Sequence, residues 1–173
     1  MKEEPYVVLV GMDFSELADR ALVEAFKVVA FRKNAELHVV NVLNSPNVTA
    51  HPSTDSFYSP MDDMAPRERA FERLRAHVEA RLEMFVPESS AGRQPFPVRV
   101  LSHVSTDSPG LGIAQLASDL NANLIVVGTH GRRGLARLVT GSFAETTMRH
   151  AHCPVLIVPP LERPDCSEGV GAA

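Results

Sequence analysis

Residues 124–150 read LIVVGTHGRRGLARLVTGSFAETTMRH. The stretch begins as an apolar run typical of a buried strand, passes through glycines with the spacing G-x2-G-x9-G-S, and ends in a helix-like segment. A strand that leads through a glycine-rich loop into a helix presents backbone N–H groups and a helix N-terminus, and both of these bind phosphate. We therefore predict a phosphate-binding turn built from Gly128, Gly131, Gly141 and Ser142.

The loop differs from two common nucleotide-binding patterns. No Lys-Ser or Lys-Thr pair follows its glycines, so it is not a Walker A motif. It also lacks the G-x-G-x-x-G spacing of dinucleotide-binding folds, and it follows the fourth predicted strand instead of the first. A structural interpretation stays open, in which the glycines serve turns and Ser142 only caps a helix, a contribution of about 1 kcal/mol to stability.

The rest of the chain alternates between strand-like and helix-like segments. Continuous apolar and β-branched runs predict strands at residues 6–10, 36–43, 96–104, 124–127 and 153–158. Apolar residues at helical spacing predict a first helix capped by Asp13 or Ser15 that continues to Ala30, and further helices at residues 67–85, 108–120 and 142–150. This alternation predicts an α/β fold with an open five-stranded parallel sheet and helices on both faces.

Two segments have no regular pattern. Residues 44–66 are rich in Ser, Pro, Asn and Asp and predict a long, mobile surface loop. Residues 161–173 predict a flexible C-terminal tail. We therefore expect one domain over residues 1–160, followed by the tail.

Composition excludes several classes of function. The formal net charge of −4 provides no basic field for nucleic acid. Cys153 and Cys166 form neither a metal-binding nor a disulfide pattern, which favours a reducing compartment. The N-terminus does not resemble a signal peptide, and no apolar run has the length of a membrane span. We expect a cytoplasmic protein with neither nucleic acid nor membrane as a partner.

Ligands of open parallel sheets bind beyond the carboxyl ends of the strands, where the strand order reverses. In this chain the ends of the first, second and fourth strands carry Met12 and Asp13, Val42 and Leu43, and Gly128 and Thr129, respectively. These segments are predicted to converge. Asp13 has a simpler alternative role, since an aspartate before a helix is often only its cap.

Three stretches resemble the nucleotide-binding universal stress proteins. They are MDFSELADRAL at residues 12–22, LHVVNV at 37–42, and ANLIVVGTHGRRGLARLVTGSFAETTMRHAHCPVLIVP at 122–159, which is similar almost position for position. The resemblance covers most of the chain outside residues 44–66 and the tail. It implies a Rossmann-like fold with strand order 3-2-1-4-5, ATP bound where the strand order reverses, and homodimers. We further expect Mg²⁺ on the phosphates, and AMP or ADP could replace ATP because the adenine and ribose contacts would be shared.

The resemblance also implies roles for the glycine-rich turn. Gly128 and Gly131 would let the backbone approach ribose and phosphates, because glycine has no Cβ. Gly141 and Ser142 would hold the phosphate tail at the start of the fourth helix.

The other implied contacts come from the first and second strands. Asp13 would contact the ribose end or a metal ion, and Val42 would hydrogen-bond adenine through its backbone. The remaining predicted ligand contacts are neighbours of these positions: Met12, Thr129, Arg132 and Phe143.

The resulting expectation is an ATP-binding stress protein that acts as a nucleotide-dependent sensor or switch for an unknown downstream partner. No residue is assigned a catalytic role, and any ATP hydrolysis is expected to be slow because no base or water-positioning group is evident. Two alternatives stay open: a dimeric interaction module that binds no nucleotide, and a genuine but slow ATPase. Residues 154–158 form a short apolar edge strand, which predicts a homodimer through that edge.

Overall fold

The computed structural model of the chain describes residues 4–43, 64–85, 98–129 and 142–160. Strands and helices alternate through these ranges, and every strand pairing is parallel. The elements in chain order are β1 (Tyr6–Gly11), α1 (Glu16–Ala30), β2 (Ala35–Val42), α2 (Met64–Phe85), β3 (Arg99–Ser105), α3 (Pro109–Asp119), β4 (Leu124–Gly128), α4 (Ser142–His150) and β5 (Val155–Val158). The strand order is β3-β2-β1-β4-β5, which confirms the predicted fold.

Strand β1 lies at the centre of the sheet. Val8 pairs with Leu37 of β2 on one side and with Leu124 of β4 on the other. Its residues 7–10 are all buried, because helices cover both faces of the sheet. A strand covered in this way needs apolar side chains at every position, which explains the continuous YVVLV run.

Alternating side chains of the sheet enter two separate cores. Helices α1 and α2 cover one face, where Phe26 and Leu74 pack against Val8 and Val10. Helices α3 and α4 cover the other face over a smaller core of Leu9, Val40, Ile113, Ala117, Ile125, Val127 and Ala144. None of the helices in the described ranges is long and apolar enough to cross a bilayer.

Two predicted boundaries were wrong near prolines. The predicted loop over 44–66 ends earlier, because α2 begins at Met64; Pro66 is tolerated there since N–H groups in the first helical turn have no partner within the helix. The predicted strand over 153–158 is shorter, and β5 begins at Val155. Pro154 has no N–H to donate and instead accepts a hydrogen bond from the N–H of Ile125 at 3.0 Å.

The predicted third strand was also displaced. It begins at Arg99 and ends at Ser105, one residue beyond the predicted end. Residues 96 and 97 and most of the predicted loop, residues 44–63, lie outside the described residues.

Helices α3 and α4 approach each other closely at Gly110. A Cβ atom at this position would lie 2.6 Å from Cβ of Thr146 and 3.1 Å from the carbonyl oxygen of Phe143. Real Cβ atoms essentially never approach other atoms as closely as 2.6 Å, so the helices contact without a side chain between them. This contact fixes the first turns of α4 against α3.

We predict that Gly110→Ala destabilises the fold by about 1–3 kcal/mol, the usual effect of overpacking a tight contact. The matched control is Gly112→Ala, also in the first turns of α3. Its new Cβ would lie 2.9 Å from Cβ of Asp107 in the exposed loop before α3 and 3.3 Å from Oγ of Ser105, so its three nearest atoms belong to no other helix. Urea unfolding of both variants should show the larger loss for Gly110→Ala, and equal losses would contradict the prediction.

Candidate functional site

The carboxyl ends of the neighbouring strands β2, β1 and β4 lie side by side along the carboxyl edge of the sheet, the edge formed by the ends of the strands. Strand β1 lies between the other two, at the point where the strand order reverses. The backbone continues the sheet for one more residue at each end: Met12 donates its N–H to Val40 at 2.8 Å, Leu43 donates to Ser105 at 2.8 Å, and Thr129 donates to Val158 at 3.1 Å. The predicted segments therefore share one edge of the sheet, the place where parallel α/β sheets bind ligands.

A buried side-chain amide of β2 fixes the turn after β1. The Asn41 side chain is buried in β2 and donates from Nδ2 to the carbonyl oxygen of Met12 at 2.7 Å. Met12 is itself buried, and its Sδ accepts from the N–H of Phe14 at 3.4 Å. Sequence reasoning did not identify Asn41, because its partner is a backbone atom 29 residues away.

The sequence left open whether Asp13 or Ser15 caps α1, and the structure assigns this role to Ser15. Oγ of Ser15 accepts from the N–H of Ala18 at 3.2 Å, so Ser15 is the cap of α1. Oδ1 of Asp13 accepts from the N–H of Ser15 at 2.9 Å. One carboxylate oxygen of Asp13 is thus used within the turn, and its side chain is half-buried at the edge of the sheet.

Gly128 has a packing role that the sequence did not reveal. A Cβ atom here would lie 3.0 Å from Cβ of Leu17 and 3.1 Å from the backbone carbonyl carbon of the same residue. Backbone atoms of a helix cannot move aside as the end of a side chain can. The close approach of α1 to β4 therefore favours glycine at this position, with or without a ligand.

Phe143 joins α4 to the end of β1. Its side chain is half-buried, and it packs against the core formed with α3. A Cβ atom at Gly11 would lie 3.3 Å from Cζ of Phe143 and 2.7 Å from Cδ1 of Ile113. The first turn of α4 is therefore packed over the last residue of β1.

The remaining predicted positions divide into two groups. Val42 ends β2 and is half-buried, as is Thr129 after β4. Gly131, Arg132 and Gly141 lie outside the described residues, as does the side chain of Ser142, although the backbone of Ser142 begins α4.

Metal-binding and nucleophilic groups are sparse in the part of the chain that the structure describes. No three His, Cys, Asp or Glu side chains there are grouped so that they could hold a metal ion. Burial raises the pKa of the Cys153 thiol, and this outweighs the opposing effect of a hydrogen bond with the backbone of Ile125. The Cys153 thiol therefore lacks the lowered pKa of a reactive cysteine.

The whole α/β unit has a match among known protein families. The family model of the universal stress protein family matches residues 7–159, which is most of the chain. The chain belongs to the universal stress protein family.

Individual universal stress proteins are also similar to this chain over most of its length. A putative member from Staphylococcus saprophyticus is 29% identical over 165 residues, which cover 91% of this chain and 86% of the relative. A universal stress protein solved in complex with cAMP has a TM-score of 0.57 at 19% identity and covers 88% of this chain and 94% of its own. The Archaeoglobus fulgidus protein in complex with dAMP has a TM-score of 0.57 at 18% identity, covering 91% and 99%. At these identities the two solved structures establish the shared fold.

This universal stress protein also contains a pair of histidines in contact, one on β2 and one on β3. Nδ1 of His38 lies 2.8 Å from Nε2 of His103, and the rings stack with centroids 5.0 Å apart. Nε2 of His38 lies 3.3 Å from Oε2 of Glu36, and the other carboxylate oxygen, Oε1, accepts from Arg99 at 3.2 Å. Sequence reasoning missed the pair, because only the strand register brings together two histidines 65 residues apart.

The histidine pair makes stability depend on pH. Burial lowers the pKa of His103, and the neighbouring His38 lowers it further. The unfolded chain, with an ordinary histidine pKa of about 6.5, therefore binds more protons than the folded one as the pH falls below that value. The contribution of His103 to stability is complete above about pH 6.5 and is lost as the solution becomes more acidic.

We predict that His103→Gln reduces the loss of stability between pH 7.5 and pH 5.5. Glutamine can donate a hydrogen bond to His38 but does not titrate, and one proton changes the slope by at most about 1.4 kcal/mol per pH unit. Urea unfolding at the two pH values measures the slope. His152→Gln, which changes an exposed histidine, is the control and should keep the wild-type slope. An unchanged slope in His103→Gln would exclude this role for the pair.

Proposed function

We propose that this universal stress protein is a cytoplasmic sensor or switch that binds an adenine nucleotide at the carboxyl edge of β1, β2 and β4. The observation that carries the proposal is the convergence of these three strand ends with the packed first turn of α4. Two proteins of the same fold were solved with adenine nucleotides, cAMP in one and dAMP in the other, and this supports an adenine ligand here.

The adenine end of the ligand would lie against β2. The pairing of β1 with β2 ends at Gly11 and Val40, two residues before Val42. Leu43 donates its N–H to β3, and N–H directions alternate along a strand, so the N–H of Val42 points toward the β1 side. The backbone of Val42 thus extends past the ladder and would hydrogen-bond the edge of the base.

The ribose and phosphates would extend from β1 toward α4. Because Oδ1 of Asp13 accepts from its own turn, its second oxygen would serve a ribose hydroxyl or a cation. Gly131, Arg132 and Gly141 would contact the phosphates together with the N-terminus of α4, whose partial positive charge favours anions. A Mg²⁺ ion would be bound chiefly by the phosphates, with Asp13 as a candidate protein ligand.

The nucleotide proposal is tested by isothermal titration of nucleotide-stripped protein with MgATP. We expect the wild type to bind and Gly141→Val to bind at least about tenfold more weakly, since the branched side chain is placed where a phosphate would approach. Gly128→Val is unsuitable, because it would collide with the backbone of Leu17.

Gly134→Val is the matched control, a glycine of the same segment outside the G-x2-G-x9-G-S spacing. It should bind MgATP like the wild type. Equal losses in both variants would indicate a defect of the segment instead of a lost ligand contact. A wild type without affinity for any adenine nucleotide would contradict the proposal and favour an interaction module, whereas rapid phosphate release would favour an ATPase.

We also propose a homodimer formed through β5. This strand is at the end of the sheet and pairs with β4 along one edge. The side chain of Leu156 is 38% exposed, and its neighbours Val155 and Ile157 are half-buried. A short apolar edge strand can pair with the same strand of a second copy across a two-fold axis, which would cover these residues.

We predict that Leu156→Lys converts the dimer into a monomer, because the substitution places a charge in the centre of the proposed apolar contact. Light scattering coupled to size exclusion should give twice the mass of one chain for the wild type and a single chain for the variant. Met84→Lys is the control, since Met84 is 75% exposed on α2, away from β5, and should leave the dimer intact. A monomeric wild type would contradict the proposal.

A further inference from the structure

The turn between β1 and α1 contains an unusual backbone conformation. Phe14 has a φ angle of 61°, in the left-handed region that bulky residues rarely adopt. It directly follows Asp13, the carboxylate of the candidate site. Strained conformations of this kind persist only where surrounding contacts impose them, and they concentrate at functional sites.

Two side chains of α2 contact the ring of Phe14. The guanidinium carbon of Arg73 lies 4.1 Å from the centroid of the Phe14 ring, a cation–π geometry. The His77 ring meets the same ring edge to face, with centroids 5.2 Å apart and planes at 85°. Arg73 and His77 are one helical turn apart on one side of α2, so together they form a clamp around Phe14.

Ion pairs with Asp19 also connect α2, which carries the clamp, to α1. Nε2 of His77 lies 2.6 Å from Oδ1 of Asp19, and Arg81 donates to the other oxygen of the same carboxylate. Asp19 is in the first turn of α1, five residues after the strained residue. The turn is therefore fixed against α2 at Phe14 and against β2 at the carbonyl of Met12, and Asp13 lies between these two fixed points.

The start of α1 does not itself require this arrangement. The Ser15 hydroxyl supplies the helix cap, and a glycine at position 14 would adopt the same φ angle without strain. Because Arg73 and His77 of α2 both contact the Phe14 ring, the ring links the position of Asp13 to that of α2.

We propose that Phe14 is a positioning residue: through the clamp it sets Asp13 for the nucleotide and couples occupancy of the site to helix α2. The inference rests on the proposed nucleotide site. Coupling between a ligand and a structural element is reciprocal, so α2 contributes to nucleotide affinity and a bound nucleotide stabilises the packing of α2. This identifies α2 as the part of the protein that would report the nucleotide state.

A double-mutant cycle with MgATP titrations tests the coupling. Phe14→Gly removes the ring and relieves the strain, and Asp13→Ala removes the carboxylate. We expect each to weaken binding by about tenfold, within the usual range of coupling between sites, and the double variant to bind no more weakly than Asp13→Ala alone. Phe14→Tyr, which keeps the ring, should restore most of the affinity.

Controls separate this role from a merely structural one. Phe71→Ala removes a partly exposed ring from the same helix but outside the clamp, and it should leave the affinity unchanged. Arg73→Met changes only an exposed side chain and should reproduce part of the Phe14→Gly effect, even where the glycine variant folds poorly. Hydrogen exchange of residues 64–85 should slow on MgATP binding in the wild type and not in Phe14→Gly.

The possible failures are distinct. A wild type that binds no nucleotide would overturn the proposed function and this inference with it. A wild type that binds, but in which the losses of Phe14→Gly and Asp13→Ala multiply independently, would overturn the inference alone. The same conclusion would follow if MgATP left exchange in α2 unchanged.

Discussion

Burial of β1 on both faces is the constraint on which the other elements depend. Its continuous apolar run can be covered only if helices lie above and below the sheet and strands lie on both sides. From the centre of the sheet, the connection from β1 through α1 leads to β2 on one side. The connection from β4 through α4 leads to β5 on the other side, so the two run in opposite directions. The crevice at its carboxyl end is therefore a result of hydrophobic burial, and the candidate site is placed there before any ligand contact is considered.

Three contacts at the carboxyl ends of the strands connect the layers of the fold. Asn41 joins β2 to the end of β1, the ring of Phe14 joins the following turn to α2, and Phe143 joins α4 to β1 from the opposite face. Each contact crosses from one element to another. The edge of the sheet is thus held from three directions, whereas the helices themselves pack through ordinary apolar cores.

The sequence predicted the order and type of every element because periodicity and β-branched runs are local signals. It placed the boundaries less well at Met64 and Val155, where the effect of a proline depends on which hydrogen bonds its neighbours make. It could not predict the contact of His38 with His103 or that of Arg73 with Phe14. Both depend on register and helix placement across long separations, and these are properties of the assembled fold.

The close approach of α1 to β4 at Gly128 changes how an alignment of universal stress proteins should be interpreted. The Cβ of any side chain at this position would lie 3.1 Å from the backbone of Leu17, so helix packing favours glycine here independently of a ligand. Where α1 and β4 approach each other as closely as in this chain, a member that had lost its ligand would gain by keeping this glycine. This glycine alone is therefore weak evidence of nucleotide binding, and binding and non-binding members are better distinguished at positions where a side chain can be accommodated.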